Sequence, residues 1–217
     1  MKKLQKPTNN LWLAEELWDL DAIEFGSFTL GRTAVDSPIY INLRKLISRP
    51  TALARCAEII RAELEALVSM RNPQIQPFTL VVGVPFGGLH VATAFSLLAN
   101  TPMIYCHSSA GKKKGEIEGN FVTGQSCLII DDLITGGGSI LETSSSLLES
   151  GLIVRDAVTL VDRQEGGMEA LREEGINLVS ILTLKQIANH LRYSGRINRS
   201  QFEEVLVYLS RSNAQPS

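Results

Sequence analysis

Residues Ser126 to Ser139 read SCLIIDDLITGGGS, and few chain conformations accommodate that run. Cys127 to Ile130 form an apolar strand, Asp131 and Asp132 follow, and Thr135 leads into three glycines and Ser139. Side chains alternate faces along a strand. Two adjacent acids can therefore address one ligand together only where the strand ends and the chain turns. Glycines at that turn let backbone come close to a ligand and take positive φ. Ile140, Ser144, Leu147 and Leu148 then recur at helical spacing, so the glycine turn feeds a helix N-terminus. Free amides and the positive end of the helix dipole meet at such a place, which suits a phosphate.

The acids would repel a bare phosphate. Their natural partners are a neutral diol or a bound metal, and a sugar phosphate satisfies both halves of the run. Asp131 and Asp132 would take the 2′ and 3′ hydroxyls, and Thr135, Gly136, Gly137, Gly138 and Ser139 would cradle the 5′-phosphate, with Leu133 and Ile134 completing the ligand-binding stretch between them. The ordered run resembles the PRPP-binding motif of the type I phosphoribosyltransferases. That resemblance implies an α/β fold of this type: a central parallel sheet flanked by helices, with a small hood from N-terminal segments.

The rest of the chain agrees with such an architecture. Its 217 residues allow one domain with a sizeable core. We expect a helix plus hood over about 1–45 and an α/β core over about 50–210. Asn10 to Leu20 reads as an amphipathic helix, and Phe25 to Leu30 and Ile39 to Arg44 as strands. Ser37-Pro38 must be extended or turned. A long helix opens at Pro50, and short apolar strands then alternate with helices: Thr79–Val84, Met103–Cys106, Cys127–Ile130, Ala157–Val161 and Leu178–Leu182. Wholly apolar strands of this kind form parallel sheets covered on both faces. Ligands bind beyond the carboxyl ends of such strands, so the loops after Val84, Cys106, Asp132 and Asp162 should share one crevice.

Twenty-one Lys plus Arg against 23 Asp plus Glu give no broad basic surface, so neither nucleic acid nor membrane is expected as a partner. The basic N-terminal residues lead into no apolar segment, and no run of about 18 apolar residues occurs. Cys56, Cys106 and Cys127 fit no disulfide or metal spacing and read as reduced core thiols. A cytoplasmic protein is expected.

Within the type I family the similarity is strongest to orotate phosphoribosyltransferases, including the orotate half of UMP synthases, over residues 25–210. Ser37 to Arg44 resembles their hood segment, and Gly83-Val84-Pro85-Phe86-Gly87-Gly88-Leu89 their pyrophosphate loop. Phe86 and Gly87 would accordingly receive the diphosphate of PRPP. Asp162-Arg163-Gln164-Glu165-Gly166-Gly167 is similar to the segment whose Arg contacts the base, which assigns Arg163, with Thr135, to orotate. The resemblance implies synthesis of orotidine 5′-monophosphate and pyrophosphate in pyrimidine biosynthesis. It also implies Mg²⁺ held mainly through PRPP, without a dedicated protein ligand set, and a homodimer.

Two segments depart from the family pattern. The mobile loop's usual Arg-Lys pair is missing after Cys106, where His107-Ser108 stands instead, and Lys112, Lys113 and Lys114 come late. These lysines are the candidate cations for the leaving group. The hood's orotate-contacting Lys is replaced around Gly31-Arg32-Thr33, making Arg32 the candidate substitute. The departures leave two other readings open: a catalytically weak or inactive PRPP-binding homologue acting as sensor or scaffold, and a transferase for another base.

Overall fold

The computed structural model describes residues 10–30, 34–107 and 116–212. Helix α1 (Trp12–Asp19) buries Trp12, Leu13 and Leu17. Strands β1 (Ile23–Leu30) and β2 (Ala34–Ile41) follow as an antiparallel hairpin, the hood. Ser37-Pro38 lies inside β2, in the extended form that Pro imposes on its predecessor. The strand expected to reach Arg44 stops at Ile41. Leu43 turns into the core at 3% exposure, and Leu43–Ser48 winds as a 3-10 helix. Helix α2 (Pro50–Val68) starts with Pro at a first-turn position, where a missing N–H costs nothing.

The main sheet contains β3 (Leu80–Gly83), β4 (Met103–Cys106), β5 (Ile117–Glu118), β6 (Ser126–Ile134), β7 (Ile153–Asp162) and β8 (Asn177–Thr183). Their spatial order is β5-β4-β3-β6-β7-β8. All neighbours are parallel except β5, which pairs antiparallel with β4 at the edge. The sheet is therefore mixed at one margin rather than wholly parallel. A two-residue strand carries too little pattern to be read from sequence.

Helices α3 (Gly87–Ala99), α4 (Gly138–Glu149), α5 (Gly167–Glu173), α6 (Leu184–Tyr193) and α7 (Arg199–Ser212) complete the layers. Leu128, Ile130, Val158 and Leu160 face a core shared with α1, α2, α3, α6 and α7. Cys127, Ile129 and Ala157 face the opposite core under α4 and α5. Period-two burial on both sides explains why these strands are apolar throughout. Helix α6 begins in a capping box between Thr183 and Gln186. Among the described residues no helix is long and apolar enough to cross a membrane.

Candidate active site

Strand β6 runs four residues further than its apolar segment, because Leu133 and Ile134 remain paired with Val161 and Asp162 of β7. Asp131 and Asp132 thus lie on the last turns of pleat, not past them. They are not splayed to opposite environments. The Asp132 amide donates to Asp131 Oδ1 at 2.8 Å, and the Gly88 amide also donates to Asp131. Asp131 is buried and Asp132 half-buried. Burial, then the charge of Asp132, pushes the Asp131 carboxyl well above its ordinary range. Burial also raises Asp132, opposed by hydrogen bonds at Asp131 and Leu133 and by the positive charge of Arg44. Two buried acids so close cannot both ionise cheaply, and a diol's hydroxyls supply the hydrogen-bond donors that stabilise the charged form.

The loop from β3 closes over them. Val84 donates its amide to Ile130 O at 3.0 Å, and the Pro85–Phe86 peptide is cis. A Cβ on Gly87 would collide with the Asp132 carboxylate, and one on Gly88 would lie 2.6 Å from Ile130 O. Only glycine lets the start of α3 sit this close to the acids. The phosphate-loop glycines have a comparable constraint: Gly137 takes φ +83 as the cap of α4, whose first turn has no side-chain cap. The loop also rests on the next one, since a Cβ on Gly167 would meet Thr135 O.

A crevice of about 410 Å³ opens here. Asp131, Asp132, Leu133, Thr135 and Ser139 form one wall, Pro85, Phe86 and Gly87 a second, and Tyr40 to Arg44 of the hood a third, with Arg163 at the back. A larger cavity of about 500 Å³ lies near Leu11, Ile181 and Tyr193, remote from the paired acids. The chemistry selects the smaller one. Of the described residues expected to form the site, Gly136, Gly137 and Gly138 are not part of the crevice lining, and Ile134 turns its side chain away: it is 2% exposed and packs beside Gly167. Arg32 and Lys112, Lys113 and Lys114 lie outside the described residues.

Arg163 lines the crevice but is 1% exposed and heavily engaged. Its Nε donates to Glu165 at 2.7 Å, its Nη2 to Ser37 Oγ at 2.8 Å and its Nη1 to Ile39 O at 3.3 Å. The Tyr208 hydroxyl on α7 donates to the same Glu165 oxygen at 3.0 Å. The guanidinium therefore ties the hood to the sheet. His107 makes a 2.8 Å contact with Glu118 at the sheet edge, and His190 a 2.7 Å contact with Glu15 between α6 and α1. Tyr40, Asn42 and Arg44 were missed as individual site residues. Their segment's likeness to the hood was the available signal.

No protein-family model matches the chain. Orotate phosphoribosyltransferase of Chlamydia caviae is 34% identical over 200 residues, covering 90% of each chain. The chain belongs to the orotate phosphoribosyltransferase family. Bos taurus uridine 5′-monophosphate synthase is 36% identical over 203 residues, which cover 92% of this chain and 40% of the cattle protein. Among solved structures, Leishmania donovani UMP synthase superposes with TM-score 0.82 at 31% identity, covering 95% of this chain and 43% of that one. The Aeropyrum pernix orotate phosphoribosyltransferase gives TM-score 0.70 at 30% identity, covering 84% and 99%. The Mycobacterium tuberculosis orotate phosphoribosyltransferase in complex with PRPP gives 0.63 at 28%, covering 82% and 98%. This orotate phosphoribosyltransferase-family chain thus spans about 40% of the length of the UMP synthases it matches and nearly all of the shorter relatives. Its fold is that of the type I phosphoribosyltransferases.

Proposed function

We propose that this chain transfers ribose 5-phosphate from PRPP to orotate, giving orotidine 5′-monophosphate and pyrophosphate. One observation carries the proposal: the paired acids, Thr135 and Ser139 flanking the uncapped glycine turn of α4, and the Gly87 loop all line one crevice. The Mycobacterium tuberculosis relative, solved with PRPP, supports the choice of ligand. Asp131 and Asp132 accept the ribose hydroxyls. Amides of residues 135–139 and the hydroxyls of Thr135 and Ser139 seat the 5′-phosphate. The C1–O bond breaks with its electron pair leaving on pyrophosphate, and N1 of orotate bonds to C1 as its proton passes to water.

Arg163 orients orotate. Glu165 neutralises its charge, so it contributes planar geometry more than field. Its bond to Ile39 O is its longest, and the orotate carboxylate replaces that bond. Mg²⁺ would enter on the diphosphate oxygens, where it neutralises developing charge. The carboxylates of Asp131 and Asp132 are hard oxygen donors that suit this ion. A homodimer would bring residues 108–115 of one subunit to its partner's crevice, with Lys112, Lys113 and Lys114 as screening cations.

The test is orotate consumption with PRPP and Mg²⁺. Turnover is expected, with a loss of about 10- to 100-fold in Asp132→Asn and a further loss when the three lysines become Ala. A folded, pure protein without turnover sinks the proposal. A second reading, PRPP binding without chemistry, draws on His107 contacting Glu118 at the end of β4, where the family resemblance leads one to expect an Arg-Lys pair. Calorimetric PRPP binding in the absence of turnover would favour it.

A further inference from the structure

The crevice must accept a diphosphate, and the loop assigned to it is poor in charge. Val84 to Gly88 offers backbone amides and no cation. At the end of β4, His107 is engaged with Glu118. Among the described residues lining the crevice only Arg44 and Arg163 are positive. Arg163 faces Glu165 at 2.7 Å with both side chains almost fully buried, so that pair presents no net charge.

Arg44 differs in each respect. It is exposed at the start of the 3-10 helix, and no carboxylate among the described residues lies within ion-pair distance of it. Its bonds are to neutral groups, Nε to Asn42 Oδ1 at 3.3 Å and Nη2 to Tyr40 OH at 3.1 Å. Tyr40 is itself braced by Phe28, ring centroids 5.7 Å apart. Two of the guanidinium's five N–H groups are thereby used for positioning, and the others are left for a ligand. The 3-10 helix packs on α3 and β6, whose ends carry the Gly87 turn and the acids. The positive charge acts on Asp132, the acid that abuts Gly87.

We propose that Arg44 is a diphosphate-binding cation of this crevice, supplied by the same chain as the acids and held in place by Tyr40 and Asn42. A planar guanidinium takes two phosphate oxygens at once, which a point-charge ammonium does not. The assignment deepens the transferase reading and rests on it. It offsets within one subunit the cations absent at His107 and Ser108.

Calorimetric titration of the full chain with magnesium pyrophosphate, and separately with orotidine 5′-monophosphate, tests it in wild type, Arg44→Gln, Arg44→Lys and Tyr40→Phe. Arg44→Gln should weaken pyrophosphate about 10- to 100-fold and raise the PRPP KM in step, with orotidine 5′-monophosphate affinity within about twofold. Arg44→Lys should recover part of the loss, and Tyr40→Phe should lose several-fold while keeping the charge. Unchanged pyrophosphate affinity in Arg44→Gln overturns the assignment, as does a loss confined to the nucleotide, which would place Arg44 on the base. If Arg44→Gln melts early, the Lys and Phe variants decide by the same readout. Wild type that neither turns over orotate nor binds pyrophosphate overturns the transferase reading itself. An active wild type matched by Arg44→Gln overturns only the role of Arg44.

Discussion

Gly88→Ala probes the junction on which the site's geometry depends. The added Cβ would lie 2.6 Å from Ile130 O, 2.8 Å from Asp131 Cα and 2.9 Å from Asp131 Oδ1. Ordinary contact begins near 3.4 Å, so backbone must yield by about 0.8 Å. Two of the three neighbours are backbone atoms of a central strand paired on both sides, and they cannot swing away. Overpacking of this kind costs about 1–3 kcal/mol. Better helix propensity at α3 returns at most about 1 kcal/mol. With that return at its full value the net cost is about 0–2 kcal/mol, which for a chain of this size lowers Tm by up to roughly 8 °C. The functional loss should be larger, because a misplacement of about 1 Å at reacting groups can cost about 10²-fold. Differential scanning fluorimetry and PRPP-dependent orotate consumption measure the two effects. A variant with wild-type Tm and wild-type kcat/KM for PRPP would refute the claim that the Gly87-Gly88 turn is pressed against the acids.

Three other outcomes follow from the same structure. Asp131 has a raised pKa when folded, so its contribution to stability is fully present below its ordinary value of 3.8 and is lost as pH rises through the raised one. Asp131→Asn should therefore raise the Tm of the ligand-free protein at neutral pH while abolishing PRPP binding; a lower Tm at pH 7 would contradict this. Burial pushes the Cys56 thiol up to about 12 and those of Cys106 and Cys127 up to about 11. All three should resist a thiol reagent at pH 8 until denaturant is added, and rapid labelling of the folded protein would count against it. Tyr208→Phe removes a hydrogen bond from Glu165, whose other oxygen is already buried without a partner among the described residues. It should cost about 1–3 kcal/mol and raise the orotate KM by loosening the Arg163–Ser37 tie, whereas unchanged chemical denaturation would separate α7 from the hood.

The acids and glycines of residues 131–139 were legible because their chemistry is local: strand, turn and helix start are adjacent in the chain. The alternating core of β3, β6 and β7 was legible for the same reason. Distance along the chain hid the rest. Arg163 meets Ser37 and Ile39 across more than 100 residues, and Tyr208 reaches Glu165 from the final helix. No periodicity encodes such meetings. Arg44 sits where β2 gives way to a 3-10 helix, so the alternating pattern that made it look like a strand residue also concealed its place on the crevice wall. The continuation of β6 to Ile134 comes from pairing with β7, which the apolar run alone does not reveal.

The most direct measurement is the structure of the protein crystallised with PRPP and Mg²⁺. The account predicts the 5′-phosphate on the amides of residues 135–139, the ribose hydroxyls on Asp131 and Asp132, and the diphosphate between Gly87 and Arg44. Density for PRPP elsewhere, with the glycine turn empty, would contradict it.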